Sequence, residues 1–234
     1  NVSEDQVFRY NEDVSVNTLD PIYIKSQSEI WIGSQIYEGL VALDSSLKPI
    51  PKIAKHWFIS DSGCVYKFVL KPNIYFSIPQ GKQRDFQIAK RKVNSYDVGH
   101  SFYRLLDPKN TSPGSWIIND KMDFPNVPSM SSEDYSAIYQ DPQSPIYCPN
   151  DSVVIIRIKK AFPAFLSLLA TNYAWIVPRE STGLGMNPKG TGPFVMRRWE
   201  TDVKLVLLKN PNYHEFEDGV RLPYLKAVNV PFIK

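Results

Sequence analysis

The sequence is short of cysteine, histidine, net charge and long apolar runs, and each shortage removes a class of protein. Two cysteines in 234 residues, Cys64 and Cys148, cannot build a disulfide framework and are not spaced as zinc ligands. The three histidines, His56, His100 and His214, fall in separate predicted elements, so no protein-built metal site is expected. Basic residues number 27 and acidic residues 24, and the resulting +3 supplies no field for nucleic acid or acidic lipid. No nucleic-acid partner is expected. No apolar stretch reaches the roughly 18 residues that a membrane span requires. An apolar leader is also missing, which fits either a cytosolic chain or one in mature or trimmed form.

The familiar catalytic strings are absent as well. There is no Gly-x-Ser-x-Gly elbow, no Gly-x-x-x-x-Gly-Lys loop and no His-Glu-x-x-His. Gly183-Leu184-Gly185 precedes no predicted helix and does not read as a dinucleotide loop, so no cofactor is expected. Asp61, Asp97, Glu133, Asp134 and Asp141 could supply a hydrolase's carboxylate pair, but each also suits an ordinary cap or turn.

What is present is a 43% apolar chain with 13 Tyr and 5 Trp, enough for one sizeable core or two modest ones. Nineteen prolines against 11 glycines point to many rigid connections between short elements. A first strand is predicted at residues 8–10, and a helix capped by Ser26 or Ser28 follows, with Trp31 on its apolar side. Residues 53–57 and 65–70 read as a hairpin across the turn at 60–63. Residues 79–92 carry Lys82, Arg84, Lys90, Arg91 and Lys92, a basic run read as a solvated loop, with phosphate or lipid contact as the alternative. A helix capped by Asn94 or Ser95 comes next. Residues 110–150 read as irregular and mobile, with order expected only at 116–118 and 135–139. Residues 153–158 form a clear strand, and a helix is predicted over 162–169 with Pro163 in its first turn.

The most organised stretch is 187–214. Gly190 and Gly192 bracket Thr191, so the backbone there can take positive φ or pass close to another segment. Pro193 then directs the chain into an extended strand, and 204–208 is an apolar run ended by the turn cluster Asn210-Pro211-Asn212.

The string GTGPF at 190–194, followed by Trp199 and LKNPNY at 208–213, resembles a signature of the peptide/nickel class, family 5, of extracytoplasmic solute-binding proteins of ABC transporters. Five further strings resemble that family's N-terminal motifs in order: NTLDP at 17–21, IYEGLV at 36–41, PKIAKHW at 51–57, YKFVLK at 66–71 and YDVGHSFYR at 96–104. The resemblance implies a periplasmic binding protein-like α/β fold with mixed sheets (type II, cluster C), matching only the family's N-terminal half and stopping before its third lobe. It implies a discontinuous first lobe, 1–38 plus 178–234, around a second lobe, 39–177.

By the same resemblance, Lys25 and Ser26 border a ligand cleft, as do Gly114, Ser115 and Trp116, and Thr171, Asn172, Tyr173 and Trp175. Lys25 stands where peptide-binding relatives commonly have an acidic residue, and Gly114 where they have an aromatic. The rings of Trp116, Tyr173 and Trp175 can grip an extended polar chain. Core packing is the competing role for Trp175, and core or surface packing for Trp116.

The implied function is capture of an oligopeptide or similar small solute for ABC permease subunits, without catalysis, by a monomer that is periplasmic or membrane-anchored outside the cytoplasm, a lipoprotein included. Without a third lobe, the 234 residues are expected to bind solute weakly or not at all. An extracytoplasmic setting also leaves room for a Cys64–Cys148 bridge beside the alternative of two separate thiols. Two rival readings are an interaction or structural module whose cleft has been lost, and a hydrolase on a related scaffold.

Overall fold

The computed structural model describes residues 6–13, 16–81, 85–123, 135–181 and 183–233. In chain order the elements are β1 (Val7–Arg9), α1 (Gln27–Ile36), β2 (Val41–Leu43), β3 (Pro49–Pro51), β4 (Ala54–Ser60), β5 (Val65–Leu70), β6 (Tyr75–Gln80), β7 (Gln87–Lys92) and α2 (Ser95–Leu106). They continue with α3 (Trp116–Asn119), α4 (Tyr135–Tyr139), β8 (Ile146–Asn150), β9 (Val153–Arg157), α5 (Phe165–Leu168), β10 (Phe194–Glu200), β11 (Lys204–Lys209), β12 (Phe216–Glu217), β13 (Val220–Arg221) and β14 (Ala227–Pro231).

Two sheets of four strands carry two separate cores. The first sheet has the order β1-β14-β11-β10, with β1 parallel to β14 and the other pairs antiparallel. Its alternation places Leu205 and Leu207 of β11 inward, paired with Val230 and Val228 of β14. Ile32 and Ile36 of α1 close over this face, together with Tyr37, Trp175 and Val177. The second sheet, β4-β5-β9-β8, is antiparallel throughout. Phe68, Val154 and Ile156 face Val98, Phe102 and Leu105 of α2, the apolar stripe expected of that helix. Both helices begin at a capping box: Ser26 with Glu29 for α1, Asn94 with Asp97 for α2.

The basic run does not stay a loop. Its second half is β7, which pairs residue for residue with β6, and Arg91 makes ion pairs with Asp97 and with Glu180 at 2.7 Å. The reason is local: β7 alternates, and buried Asp97 needs a cation once the sheet removes it from water. Lys82 and Arg84 lie outside the described residues. The helix expected over 162–169 is only α5, because Pro163 and Ala164 hold the chain in a turn before it. The 110–150 stretch contains α3 and α4 as expected, and also β8, whose Ile146 and Cys148 are buried. Residues 124–134 of that stretch, Glu133 and Asp134 included, lie outside the described residues. Both cysteines are free thiols, and burial, ahead of its other causes, raises Cys148 to about 12, so it does not ionise near neutrality.

Gly190 and Gly192 are explained by close approach. Neither has positive φ, but a β-carbon on Gly190 would lie 2.0 Å from the Ile36 carbonyl oxygen, and one on Gly192 would lie 2.7 Å from it. The Gly192 N–H donates to that same oxygen at 2.8 Å, closing the C-terminus of α1, while Ser77 N–H donates to Gly190 O at 2.9 Å. The loop thus joins α1 to β6. Gly190→Ala is expected to lower unfolding free energy by about 3 kcal/mol, the upper end for overpacking against rigid backbone, measured by urea denaturation; an unchanged midpoint would show that the loop can move away.

Candidate functional site

The site starts from one buried carboxylate. Glu29, in the first turn of α1, accepts the backbone N–H groups of Asn17 at 3.1 Å, Thr18 at 3.4 Å, Lys25 at 3.0 Å and Ser26 at 3.1 Å. Burial alone would raise its pKa. The amide bonds from Lys25, Ser26 and Asn17 outweigh burial and lower it, so the charge is held where the loop needs it. Residues 17–26 are in this way wrapped around the helix start, with Lys25 exposed and Ser26 partly so.

Three further contacts bring the second core to this loop. Arg104 of α2 forms a two-pronged ion pair with Asp20, one arm at 2.8 Å. Ser112 Oγ donates to the Ile22 carbonyl oxygen at 2.6 Å, and Asn172 Nδ2 donates to Ile24 O at 3.4 Å. A β-carbon on Gly114 would lie 2.1 Å from Cγ of Tyr173, so only glycine admits this ring. These contacts tie the segment ending at Lys25 and Ser26 to Asn172, and Gly114 to Tyr173. Trp116 is 52% exposed, while Trp175 is only 8% exposed, stacked on Tyr37 with ring centroids 5.7 Å apart. Trp175 packs in the core, the competing role, and touches the site only at its edge.

Thr171, Asn172 and Trp175 also line a cavity of ≈ 510 Å³, whose other walls include Ile30 and Ser34 of α1, Ala42 of β2, Glu38 and Lys52. Behind it lies an ionic cluster that residue spacing did not reveal. Glu38 accepts from Thr191 Oγ1 at 2.8 Å and lies 2.9 Å from His214 Nε2. Lys52 Nζ is 2.6 Å from Glu215 and 3.8 Å from Glu38, and Tyr213 OH donates to Glu215 at 2.8 Å. Glu38, His214 and Glu215 are close enough to hold a metal ion. The donor set argues against one, because Lys52 already supplies the cation and Thr191 and Tyr213 fill further acceptor positions. Burial would raise the pKa of Glu215, but the bond and charge of Lys52 lower it, so it stays ionised and is ill suited to donate a proton. Of the other candidate carboxylates, Asp97 serves its capping box and Asp141 accepts Gln143 N–H at 2.9 Å, while Asp61 lies in the turn before β5. His100 is buried against Tyr135, and burial, aided by Arg104, Arg179 and Arg91, lowers it to about 4.

The profile of the bacterial extracellular solute-binding proteins, family 5, matches residues 48–234. The chain belongs to this family. Curated relatives include a probable deoxycholate-binding periplasmic protein of Escherichia coli, 24% identical across 96% of this chain and 41% of its own length. Di/tripeptide-binding protein 2 of Pseudomonas aeruginosa is 28% identical across 76% of this chain and 32% of its own. The substrate-binding domain of an oligopeptide ABC transporter from Bacillus anthracis superposes on the whole chain with a TM-score of 0.76 at 23% identity, covering 42% of that structure. Peptide-bound OppA of Listeria monocytogenes gives 0.76 at 22% identity, over 99% of this chain and 43% of its own. The fold is that of the type II periplasmic binding proteins, and the chain spans from about a third to about two-fifths of the length of these relatives. No helix among the described residues is long and apolar enough to cross a membrane.

In this family 5 chain Glu29 is expected to set the acid limit of the site loop. Its folded pKa lies below the ordinary value of 4.5, so its contribution is fully present above that value and is lost as pH falls through the folded pKa. Glu29→Gln should cost about 2 kcal/mol at pH 7 and flatten the loss of stability on acidification, both read from urea unfolding across pH; an unaltered acid slope would remove Glu29 from this role.

Proposed function

We propose that this chain forms the first two lobes of an extracytoplasmic solute-binding protein of an ABC importer, capturing an oligopeptide or similar small solute for the permease. The first lobe comprises 1–38 and 178–234, and the second 39–177. The two cores support this division, apart from Ile22, which packs in the second core, and Trp175 and Val177, which pack in the first. The observation that supports the reading is that the segment 20–26 is joined to 112–114 and to 172–173, through Ser112 on the Ile22 carbonyl, Asn172 on the Ile24 carbonyl and Tyr173 against Gly114; on this reading Lys25, Ser26, Ser115, Trp116 and Thr171 border the same cleft. Trp116 offers a ring there, Lys25 an ammonium group and the chain polar atoms, the elements of sequence-tolerant peptide capture. Family membership and the di/tripeptide-binding relatives support a peptide ligand and an extracytoplasmic setting; the proposed carrier is a monomer, periplasmic or membrane-anchored. Closure on the ligand needs a second wall, so these 234 residues alone bind weakly.

A second ligand class has its own support. Lys25 is exposed at the site edge and favours a solute carboxylate, and the relative named for deoxycholate shows that a family 5 protein need not be named for peptides. A hydrolase is not favoured, because the convergent pair Glu38 and Glu215 is committed to Lys52, His214, Thr191 and Tyr213.

Calorimetric titration of the full-length protein with tripeptides should give one site with Kd on the order of micromolar, weakened by Trp116→Ala, while the 234 residues alone give no isotherm in that range. Binding of a non-peptide carboxylate but no peptide would move the assignment to the second class. Micromolar peptide binding by the 234 residues alone would overturn the need for a second wall.

A further inference from the structure

A second cavity of ≈ 370 Å³ opens between the β6–β7 hairpin and residues 211–221, away from the residues assigned to solute capture. Its lining is unlike that of the first. Lys90 and Arg221 bring two permanent positive charges, Asn73 and Asn212 two carboxamides, and Tyr75 and Phe216 two rings. Of the described residues, none that line it is a carboxylate.

The two cations are held in place, and among the described residues no carboxylate forms an ion pair with either. Lys90 Nζ sits 5.0 Å from the centre of the Tyr75 ring, and the Arg221 guanidinium 4.5 Å from the centre of the Phe216 ring. Arg221 also donates through one nitrogen to the Tyr213 carbonyl oxygen, which orients the fork without neutralising it. Lys209 Nζ donates to the Arg221 carbonyl oxygen at 2.9 Å, adding positive charge nearby. Elsewhere the comparable cations are matched: Arg91 by Asp97 and Glu180, Arg104 by Asp20, Lys52 by Glu215. His214 completes the wall with its Nε2 turned toward Glu38 at 2.9 Å, so that carboxylate is engaged behind the ring.

Two ring-held cations lining one cavity, with no described carboxylate paired to them and carboxamides beside them, have the chemistry of an anion receptor. We propose that this cavity is a second binding site, for a small oxyanion group, carboxylate or phosphate, held between Lys90 and Arg221. The Tyr75 and Phe216 rings keep both cations from collapsing onto the surface, so little ordering is needed when the anion arrives. Because Lys90 belongs to β7 and Arg221 to β13, the bound anion also ties the hairpin of one core to the strand pair beside the other.

The test is an NMR titration of the amide-labelled chain with inorganic phosphate, with acetate, and with chloride at matched ionic strength. Saturable shifts at Asn73, Lys90, Asn212 and Arg221 are expected with phosphate, acetate or both, and not with chloride. The stronger of the two anions assigns the head group. Lys90→Gln, at an exposed position that carries no ion pair, should weaken binding about tenfold, on the order of one charge-assisted hydrogen bond. Arg221→Gln should do at least as much. No saturable shift with either oxyanion, equal shifts with chloride, or unchanged affinity in Lys90→Gln would overturn the proposal.

Discussion

The carboxylate of Glu38 is the point on which the two halves of this chain depend. It sits where the chain leaves the first core for the second, and its own backbone oxygen accepts Ile176 N–H at 2.9 Å, where the chain comes back. Its side chain faces Thr191 from the GTGPF loop, His214 from beyond β11 and Lys52 from beyond β3. A buried carboxylate is costly unless it is paired and hydrogen-bonded. Satisfying this one requires both chain crossings, the glycine loop and the turn at 210–215 to be in place together.

That arrangement supports the surface proposed for solute capture. With the crossings fixed, Arg104 reaches Asp20, Ser112 reaches the Ile22 carbonyl and Asn172 reaches the Ile24 carbonyl. Each contact ties the segment 20–24, which leads into α1, to elements of the second core. The exposed residues at the surface, Lys25 and Trp116, make none of these contacts themselves and are carried by neighbours that do. Rigid support with adaptable contact groups suits a binding protein whose family includes members named for peptides and for deoxycholate.

Much of the fold was legible in residue order. The capping boxes at Ser26 and Asn94, the alternation of β11 and the hairpin of β4 with β5 are local patterns with one good solution each. The ordered motifs likewise pointed to the family that the profile match establishes. Composition alone favours solvent for the basic run, whereas β7 is held by pairing with β6 and by Arg91, whose carboxylate partners are Asp97 six residues on and Glu180 far along the chain. Strand β8 was hidden for a similar reason: Ile146 and Cys148 alternate for only a few residues, beside prolines, and need β9 to complete them.

By itself the sequence determined the family and most of the local elements, since these rest on near neighbours along the chain and on ordered motifs. Tertiary structure decided the rest. It set Trp175 in the core and Trp116 at the surface, although both are tryptophans beside polar turns. It chose close approach over positive φ as the reason for Gly190 and Gly192. It drew His214, Lys52 and Glu215 to Glu38 from positions up to 177 residues apart (215 − 38). Burial and long-range electrostatics depend on which distant groups share a low-dielectric space, and no local pattern along the chain encodes that.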